Sequence, residues 1–348
     1  MNPARRTRVL VVDDSALARR AIVEALANDP GIEVIGTAED AYRARELILA
    51  LKPDVVTLDL QMPLMDGLTF LRILMEHHPV PVIIVSNLTP AGSALAIEAL
   101  AAGAVDVIQK PDGRDGIHDL ARRLTSQVHA AAVSARRAGR ASTPAIAAVP
   151  LMASARRQVL VIGASTGGVE ALRYLLPRLP MNSPPIVVVQ HIPPHFSRVM
   201  AEHLQRLAPF EVREAEDGDE LRSGLCLIAP GDYHVLIQRS SSGHRLRVVQ
   251  SPPVNHCRPS VDVLFRSAAE QVGSDAVAVL LTGMGSDGAR GMSLMRAAGA
   301  LTIVESESSC VVFGMPQAAI RLEAAQRVVS LEEMPAAILT ALGVHEIQ

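Results

Sequence analysis

The sequence predicts an α/β protein made of two successive units, each with a mainly parallel sheet covered by helices. Three observations lead to this prediction. Apolar runs of strand length alternate with helix-like segments five times across residues 6–128. The alternation stops in an Ala-, Arg- and Pro-rich stretch at 129–156 and resumes, doubly wound, across 157–345. Two short strands separated by a Ser- and Gly-containing loop add a small β-hairpin to the second unit.

In the first unit the predicted strands are short and almost continuously apolar, as in a parallel sheet buried on both faces. The strands are predicted at 9–12, 32–37, 55–58, 82–85 and 105–108. The helices that alternate with them are predicted at 16–27, 41–51, 67–76, 94–101 and from 117 onward.

The stretch at 129–156 is predicted to be a linker. Pro144 and Pro150 make one long helix unfavourable, although the first part of the stretch can prolong the last helix of the first unit. Its arginines leave two interpretations open, an inert solvated spacer and a basic tether for acidic partners.

The second unit shows the same alternation less regularly. Its strands are predicted at 159–162, 186–189, 225–229, 235–237, 246–249, 276–281 and 300–304. Its helices are predicted at 169–176, 196–207, 261–272, 289–297, 317–322 and 332–342.

Composition excludes several classes of function. A net charge of −3 gives no electrostatic footprint for nucleic acid. No apolar run approaches the ~20 residues that a membrane span needs, so direct membrane insertion is not expected. The short basic N-terminus leads directly into a strand and does not resemble a signal peptide. The 3 cysteines are far apart and in no C-x-x-C spacing, which argues against disulfides and zinc and suits a cytoplasmic protein.

Acidic residues collect at the carboxyl ends of the first unit's strands, where sites on parallel sheets lie. Asp13 and Asp14 end the first strand, Asp59 ends the third, Ser86 ends the fourth and Lys110 follows the fifth. Three converging carboxylates repel each other unless a cation lies among them, and a hard oxygen site of this kind suits Mg²⁺. One carboxylate can then attack a phosphoryl donor and become an aspartyl phosphate.

The second unit opens with a glycine-rich turn between a strand and a helix, Gly163-Ala164-Ser165-Thr166-Gly167-Gly168. Ser165 fits G-x-S-x-G, the nucleophile elbow. The glycines also fit a dinucleotide phosphate loop, with Ser165 as a helix cap, or a plain turn. A dinucleotide site needs an acidic residue at the end of the next strand, where Gln190 and His191 stand instead. The motif alone does not decide between these interpretations.

Two further residues are candidate partners of Ser165. A serine hydroxyl needs a base, and the base needs a group that orients it. His191 ends the neighbouring predicted strand, and Asp287 lies in a glycine-rich turn at another strand end. Backbone N–H groups of Gly283-Met284-Gly285 are suited to an oxyanion. Taken singly, each could be an ordinary loop residue, a turn former or a helix cap.

The first unit resembles the receiver domain of bacterial response regulators, a flavodoxin-like (βα)5 fold. The resemblance rests on Asp13-Asp14-Ser15, Asp59-Leu60-Gln61-Met62-Pro63-Leu64-Met65-Asp66-Gly67, Ser86 and Lys110-Pro111. It implies that Asp59 accepts the phosphoryl group and that Asp13, Asp14 and Asp59 hold Mg²⁺. It also implies that Ser86 is the switch hydroxyl and that Lys110 contacts the phosphate.

The second unit resembles the chemotaxis protein-glutamate methylesterase family, CheB, whose domain order is receiver, linker and esterase. The motifs are Gly163 to Gly168, Gln190-His191, Ile228-Ala229-Pro230-Gly231, Arg258-Pro259-Ser260-Val261-Asp262, Leu281-Thr282-Gly283-Met284-Gly285 and Val312-Phe313-Gly314-Met315-Pro316. By this resemblance Ser165 is the nucleophile, His191 the general base, Asp287 its orienting group and the Met284 N–H an oxyanion donor.

The resemblance also implies the function. The chain is expected to be a phosphorylation-activated serine hydrolase that removes methyl esters from receptor glutamates and deamidates receptor glutamines. Its expected partners are methyl-accepting chemotaxis receptors and the chemotaxis histidine kinase. Mg²⁺ is expected for phosphorylation of the receiver, and no cofactor is expected for ester hydrolysis. Before phosphorylation the receiver is expected to cover the Ser165 edge, so deletion of residues 1–150 should raise the basal rate.

The sequence departs from the family pattern at three places. Val107 stands where many receivers carry a switch aromatic residue. The run 254–258 is less basic than usual, and 304–307 replaces a segment that often contains Gln-Asp. The last two are expected to alter receptor contacts without touching the Ser–His–Asp set.

Three other classes of function remain to be distinguished. A DNA-binding output needs a helix-turn-helix and a basic face, and neither is evident. An NAD(P)-binding oxidoreductase would change the fluorescence of the cofactor on binding. A catalytically idle adaptor would release no methanol from methylated receptor.

Overall fold

The protein is described from a computed structural model that covers residues 6–87, 90–110, 116–135, 158–194, 196–241 and 243–343. The chain divides into two units, Met1–Ala141 and Ser142–Gln348. Of the predicted linker at 129–156, residues up to 135 continue a helix of the first unit, and the remainder lies outside the described residues. In the parts of the chain described, no helix is long and apolar enough to span a membrane.

The first unit is a five-stranded parallel sheet formed by β1 (Thr7–Val12), β2 (Ile32–Ala38), β3 (Val55–Leu58), β4 (Val82–Ser86) and β5 (Asp106–Gln109). The order of the strands across the sheet is β2-β1-β3-β4-β5. Its helices are α1 (Ala16–Ala27), α2 (Ala41–Leu51), α3 (Gly67–His77), α4 (Pro90–Ala101) and α5 (Gly116–Ala135). The predicted fold class is confirmed for this unit.

Three helices of the first unit, α1, α2 and α3, begin at side chains that accept hydrogen bonds from their first turns. Ser15, Asp40 and Asp66 each accept a backbone N–H three residues further on, which satisfies a donor that has no partner within the helix. Strands β1, β3 and β4 are buried almost throughout, as expected of central strands covered on both faces.

The second unit contains a seven-stranded parallel sheet and a two-stranded antiparallel hairpin. The sheet strands are β6 (Val159–Ala164), β7 (Ile186–Gln190), β8 (Glu211–Glu214), β9 (Leu225–Ile228), β12 (Ala276–Leu280), β13 (Leu301–Glu305) and β14 (Arg327–Val329). Their order across the sheet is β14-β13-β12-β6-β7-β9-β8. The hairpin pairs β10 (His234–Ser240) with β11 (Gly243–Val249). The helices are α6 (Gly168–Leu175), α7 (Phe196–Gln205), α8 (Val261–Gln271), α9 (Ala289–Ala297), α10 (Met315–Arg321) and α11 (Met334–Ala341).

The predicted parallel sheet and hairpin are confirmed, but two edge strands were not predicted. Strand β8 contains three charged residues and a single valine, and β14 has three residues with little burial. Neither carries the apolar run that identifies a buried central strand.

Strands β12, β6 and β7 are adjacent in the centre of the second sheet, and all three are fully buried. Leu280 pairs with Gly163, and Ala164 pairs with Gln190. Because these strands are parallel and in close register, the loops that follow them meet at one edge. That edge receives Ser165, His191 and the turn that carries Asp287.

Candidate active site and phosphoacceptor site

Ser165 follows the last residue of β6 and stands on the tight turn before α6. Its N–H donates to the carbonyl of Thr282 (3.0 Å), and its own carbonyl accepts from the side-chain amide of Gln190 (2.8 Å). The turn leaves no space for larger residues beside it. A Cβ at Gly168 would lie 2.2 Å from Gln190 Oε1, and one at Gly283 would lie 2.7 Å from Ser165 Cβ. The backbone around the serine is therefore fixed by its neighbours.

Gln190 also bears on the dinucleotide interpretation. It occupies the position where a dinucleotide site needs an acidic residue, and its amide is used to hold the carbonyls of Ser165 and His191. This is a structural role within the turn.

His191 and Asp287 are in direct contact. His191 Nε2 lies 2.8 Å from Asp287 Oδ2, and the backbone N–H of His191 donates to Ala164 O (3.0 Å), beside the serine. An ionised carboxylate only accepts hydrogen bonds, so Nε2 must carry the proton of the neutral ring. The lone pair of the neutral imidazole is then on Nδ1, and Nδ1 is the nitrogen able to act as a base.

Asp287 is 2% exposed and surrounded by donors. Besides His191, its carboxylate accepts hydrogen bonds from Asn255 Nδ2 (2.8 Å), Ser260 Oγ (2.8 Å), Val261 N (2.7 Å) and Asp262 N (3.4 Å). Burial raises the pKa of Asp287. The hydrogen bonds from His191 and the other donors lower it by a larger amount, so the net pKa lies below its ordinary value. The carboxylate is ionised at neutral pH and fixes the ring.

His191 is stabilised in its charged form. Burial lowers the pKa of His191, but hydrogen bonds with Asp287 and Cys257 raise it more, and the pKa lies above the ordinary value. A general base must be neutral, so the fraction of competent enzyme rises with pH until this group has lost its proton.

Ser165 and His191 each follow one residue of a strand pair, because Ala164 pairs with Gln190 in neighbouring strands. Among the described residues, no hydrogen bond joins the Ser165 hydroxyl to the ring, and Nδ1 contacts the sulfur of Cys257 at 3.7 Å. Hydrogen bonds used in catalysis are often long in the free enzyme and tighten when substrate binds. The prediction that the run 254–258 does not touch the Ser–His–Asp set was wrong, because Cys257 contacts His191 and Asn255 contacts Asp287.

The cluster of His191, Cys257 and Asp287 does not fit a metal ion, although their ligand atoms lie within 4.8 Å of one another. A carboxylate has about four lone-pair positions, and five donors already point at Asp287. Without Asp287 only His191 and Cys257 remain as ligands, one fewer than the three protein ligands of a catalytic zinc site.

Met284 lies in the loop after β12, next to Gly283, where an added Cβ would lie 2.7 Å from Ser165 Cβ. The N–H of the preceding Gly283 donates to Val312 O at 3.0 Å. It is therefore committed to the fold, and the prediction that Gly283 contributes an oxyanion donor was wrong. The oxyanion role of the Met284 N–H remains a prediction.

Glu305 is a buried carboxyl group behind this loop that the sequence reasoning missed. Its Oε2 accepts the N–H of Thr282 (2.8 Å), and its Oε1 accepts the hydroxyl of Ser309 (2.9 Å). Burial raises its pKa to about 7. Because Thr282 O holds the N–H of Ser165, Glu305 supports the backbone on which the serine rests. The sequence signal for this residue was an acidic side chain at the end of an apolar strand.

At the edge of the first sheet the structure brings together the acidic residues and lysine. Lys110 Nζ lies 2.7 Å from Asp59 Oδ2 and 2.7 Å from Asp13 Oδ2. The contact with Asp59 is a hydrogen bond, whereas Asp13 Oδ2 is an ion-pair partner without hydrogen-bond alignment. Burial lowers the pKa of Lys110, but both aspartates raise it more, and the net pKa lies above its ordinary value.

Asp14 completes a group of three carboxylates. Oxygens of Asp13, Asp14 and Asp59 lie within 4.8 Å of one another, and Asp13 is completely buried, with its pKa raised by burial. Hard carboxylate oxygens in this arrangement fit Mg²⁺, and the buried Asp13 Oδ2, which is ion-paired with Lys110, accepts no hydrogen bond from the described residues. Ser86 ends β4, buried, with no hydrogen-bond partner for its hydroxyl among the described residues.

The fold and the two sites define a class of protein: a receiver-type unit followed by an α/β unit with serine, histidine and aspartate at one sheet edge. Comparison with known families is consistent with both parts. Residues 160–338 match the family described as CheB methylesterase, and residues 9–122 match the response regulator receiver domain. The chain belongs to the CheB methylesterase family.

Similar proteins cover almost the whole chain. It is 48% identical over 341 residues to "Protein-glutamate methylesterase/protein-glutamine glutaminase 4" of Anaeromyxobacter dehalogenans, covering 97% of this chain and 96% of that protein. It is 46% identical over 335 residues to a protein of the same activity name, numbered 2, from Syntrophus aciditrophicus, covering 94% and 97%. The crystal structure of the Thermotoga maritima CheB methylesterase catalytic domain aligns with a TM-score of 0.52 and 39% identity, covering 53% of this chain and 98% of that domain.

Proposed function

We propose that the chain is a phosphorylation-activated protein-glutamate methylesterase and protein-glutamine glutaminase of the chemosensory system. One observation supports this most strongly: Asp287 holds His191 through Nε2, which leaves Nδ1 as the base nitrogen at the edge where Ser165 lies. The substrates are glutamyl methyl esters and glutamines of methyl-accepting chemotaxis receptors. The curated relatives carry both activities in their names.

Acylation begins when Ser165 Oγ attacks the ester carbonyl and its proton passes to His191 Nδ1. The imidazolium that forms is stabilised by the ionised Asp287 on the opposite nitrogen. The N–H of Met284 stabilises the oxyanion of the tetrahedral intermediate. Methanol then leaves with the proton from Nδ1, and a glutamyl ester of Ser165 remains.

Water resolves the acyl-enzyme by the reverse sequence. His191 Nδ1 accepts a proton from water, the resulting hydroxide attacks the acyl carbon, and Ser165 leaves with the proton. The products are a glutamate side chain and free enzyme. The same steps on a glutamine release ammonia in place of methanol, so a single site accounts for both activities.

Phosphorylation takes place at Asp59. An oxygen of its carboxylate attacks the phosphorus of the group carried by the chemotaxis histidine kinase or by a small donor, the bond from phosphorus to the donor breaks, and the donor leaves without its phosphoryl group. Mg²⁺, held by Asp13, Asp14 and Asp59, would neutralise charge on the phosphoryl oxygens. Lys110 exchanges its contact with Asp59 for the new phosphoryl oxygens, and the Ser86 hydroxyl binds them as well. This change relieves inhibition by the receiver, and the reactions take place in the cytoplasm.

The test is methanol release from methylated receptor membranes by the full-length protein, with and without a small phosphodonor and Mg²⁺. We expect Ser165→Ala to lose activity by about three orders of magnitude or more while keeping its fold. Asp59→Asn should keep the basal rate and lose stimulation by the donor. Near-normal release by Ser165→Ala would refute the nucleophile assignment.

A further inference from the structure

The segment before helix α8 is a tight turn that points at the catalytic histidine. Val254 and Cys257 exchange both backbone hydrogen bonds (3.1 and 2.9 Å), and the two residues between them, Asn255 and His256, have φ values of 52° and 63°. Two consecutive positive φ values are the mark of a type I′ turn. Asn255 Nδ2 also bonds the carboxylates of Asp262 (2.7 Å) and Asp287 (2.8 Å). The turn is therefore fixed at both its backbone and its side chains.

This turn places a thiol beside the base nitrogen. Cys257 Sγ lies 3.7 Å from His191 Nδ1 and 3.4 Å from the carbonyl oxygen of Asn255. Nε2 of the ring is already used by Asp287, so Nδ1 has one in-plane direction left for a partner. A sulfur in that direction and a serine hydroxyl cannot both occupy it.

The protons of the site allow two arrangements of this contact. In the neutral ring, Nδ1 accepts the S–H of Cys257. In the imidazolium, Nδ1–H donates to the sulfur, and the S–H donates to Asn255 O. Both arrangements pair every donor, but in the second the hydrogen bond to the sulfur comes from a charged ring and is the stronger one, so the sulfur stabilises the charged ring.

We propose that Cys257 is a positioning residue for the reaction: its sulfur holds His191 Nδ1 in the free enzyme, stabilises the protonated ring, and gives up this nitrogen to Ser165 when substrate binds. The inference rests on the proposed function, because it concerns the base of that reaction. The resting enzyme then carries a base that is largely blocked, and the pH at which it becomes competent depends on residue 257.

Among the charged and titratable groups around the ring, Cys257 is the one whose replacement changes a direct contact of His191 without removing Asp287. Asp287, from the loop after β12, and Cys257 contact the ring itself. Asp262 on α8 and His234 on β10 interact electrostatically with Asp287, which holds the opposite nitrogen of the ring. Removal of the sulfur changes the partner of Nδ1 and leaves this carboxylate network in place.

The experiment compares Cys257→Ala, Cys257→Ser and the matched thiol control Cys226→Ala, whose cysteine lies buried in β9. Two quantities are measured on the full-length protein. The first is the pKa of His191 without substrate, from NMR titration of histidine-labelled protein, with the signal assigned by loss in His191→Gln. The second is the pH profile of kcat/KM for methanol release.

In Cys257→Ala we expect the pKa of His191 and the acidic limb of kcat/KM to fall together by about one pH unit. At pH values on the acidic limb, kcat/KM of the variant should be about tenfold above that of the wild type. On the alkaline plateau the two values should differ by less than about threefold. Cys257→Ser, whose hydroxyl can occupy the same direction, should return both values part of the way. Cys226→Ala should behave like the wild type.

The outcomes separate this inference from the proposed function. An unchanged pKa of His191 in both Cys257 variants overturns the inference, whatever the rates are. Rates that fall equally at every pH with that pKa unchanged indicate a structural role, and likewise overturn it. A lowered pKa in a protein whose wild type releases no methanol supports the contact and refutes the proposed function alone.

Discussion

Replacement of Asp287 by asparagine tests how the site orients its base. The variant keeps the shape of the side chain and replaces one carboxylate oxygen with an amide that donates. Asn255 and Ser260 both donate to Oδ1, whereas His191 Nε2 and Val261 N both donate to Oδ2. The backbone N–H of Asp262 also donates to Oδ1 (3.4 Å), so an NH₂ at the Oδ1 position would face three donors and one at the Oδ2 position only two. The amide therefore favours the orientation that turns its NH₂ toward His191 and Val261. The ring can restore one hydrogen bond only by moving its proton from Nε2 to Nδ1.

That change of tautomer removes the lone pair that Ser165 needs. A comparable substitution in serine proteases lowers kcat about 10⁴-fold because the histidine takes the wrong tautomer. For Asp287→Asn we expect a loss of about 10³- to 10⁴-fold in kcat, with KM changed less than about threefold. The assay is steady-state methanol release from methylated receptor membranes, and circular dichroism checks the fold.

Ser260→Ala is the matched control, because it removes one donor to Oδ1 and leaves the contact between His191 and Oδ2. It should cost less than about tenfold in kcat, since one of several hydrogen bonds to the carboxylate is lost. If Asp287→Asn retains more than a tenth of the wild-type kcat, the tautomer argument is refuted.

Two further predictions concern buried charges. The pKa of Glu305 is raised from 4.5 to about 7, so the folded chain binds more protons than the unfolded chain between these values, and the stability of the second unit should fall by about 3 kcal/mol as the pH rises through that window. Glu305→Gln should abolish this fall, as measured by urea unfolding at pH 5 and pH 8; an equal fall in both proteins would show that Glu305 is not its cause. Lys110→Met leaves the buried Asp13 and Asp59 facing each other without a cation, and should destabilise the receiver by about 3–5 kcal/mol, with partial recovery in Mg²⁺. A change below about 1 kcal/mol in urea unfolding would contradict the proposed balance of charges.

The sequence was sufficient to predict the location of site residues that directly follow a buried strand. Asp13 and Asp59 end neighbouring buried strands, and Ser165 and His191 end another such pair, so parallel pairing alone brings each pair to one edge. Apolar runs identified the central strands for the same reason. The edge strands β8 and β14 lack such runs and were missed.

The surroundings of the active site could not be predicted in this way. Asn255 and Ser260 reach Asp287 across 32 and 27 residues, from loops whose course depends on tertiary packing. Cys257 reaches His191 only because two residues before it adopt positive φ, which no periodic pattern reveals. The N–H of Gly283 donates to the carbonyl of Val312, a contact between distant segments that the glycine-rich turn itself does not indicate. Local patterns therefore located the reacting groups, and long-range contacts determine how these groups are tuned.

The central claim is that Ser165 and His191 act as one catalytic unit, and methanol release by Ser165→Ala, His191→Ala and the double variant tests it most directly. Residues that act as a unit are not additive, so we expect the three rates to agree within about threefold, each about three or more orders of magnitude below the wild type. A double variant whose rate lies below that of the wild type by the product of the two single losses would contradict the claim.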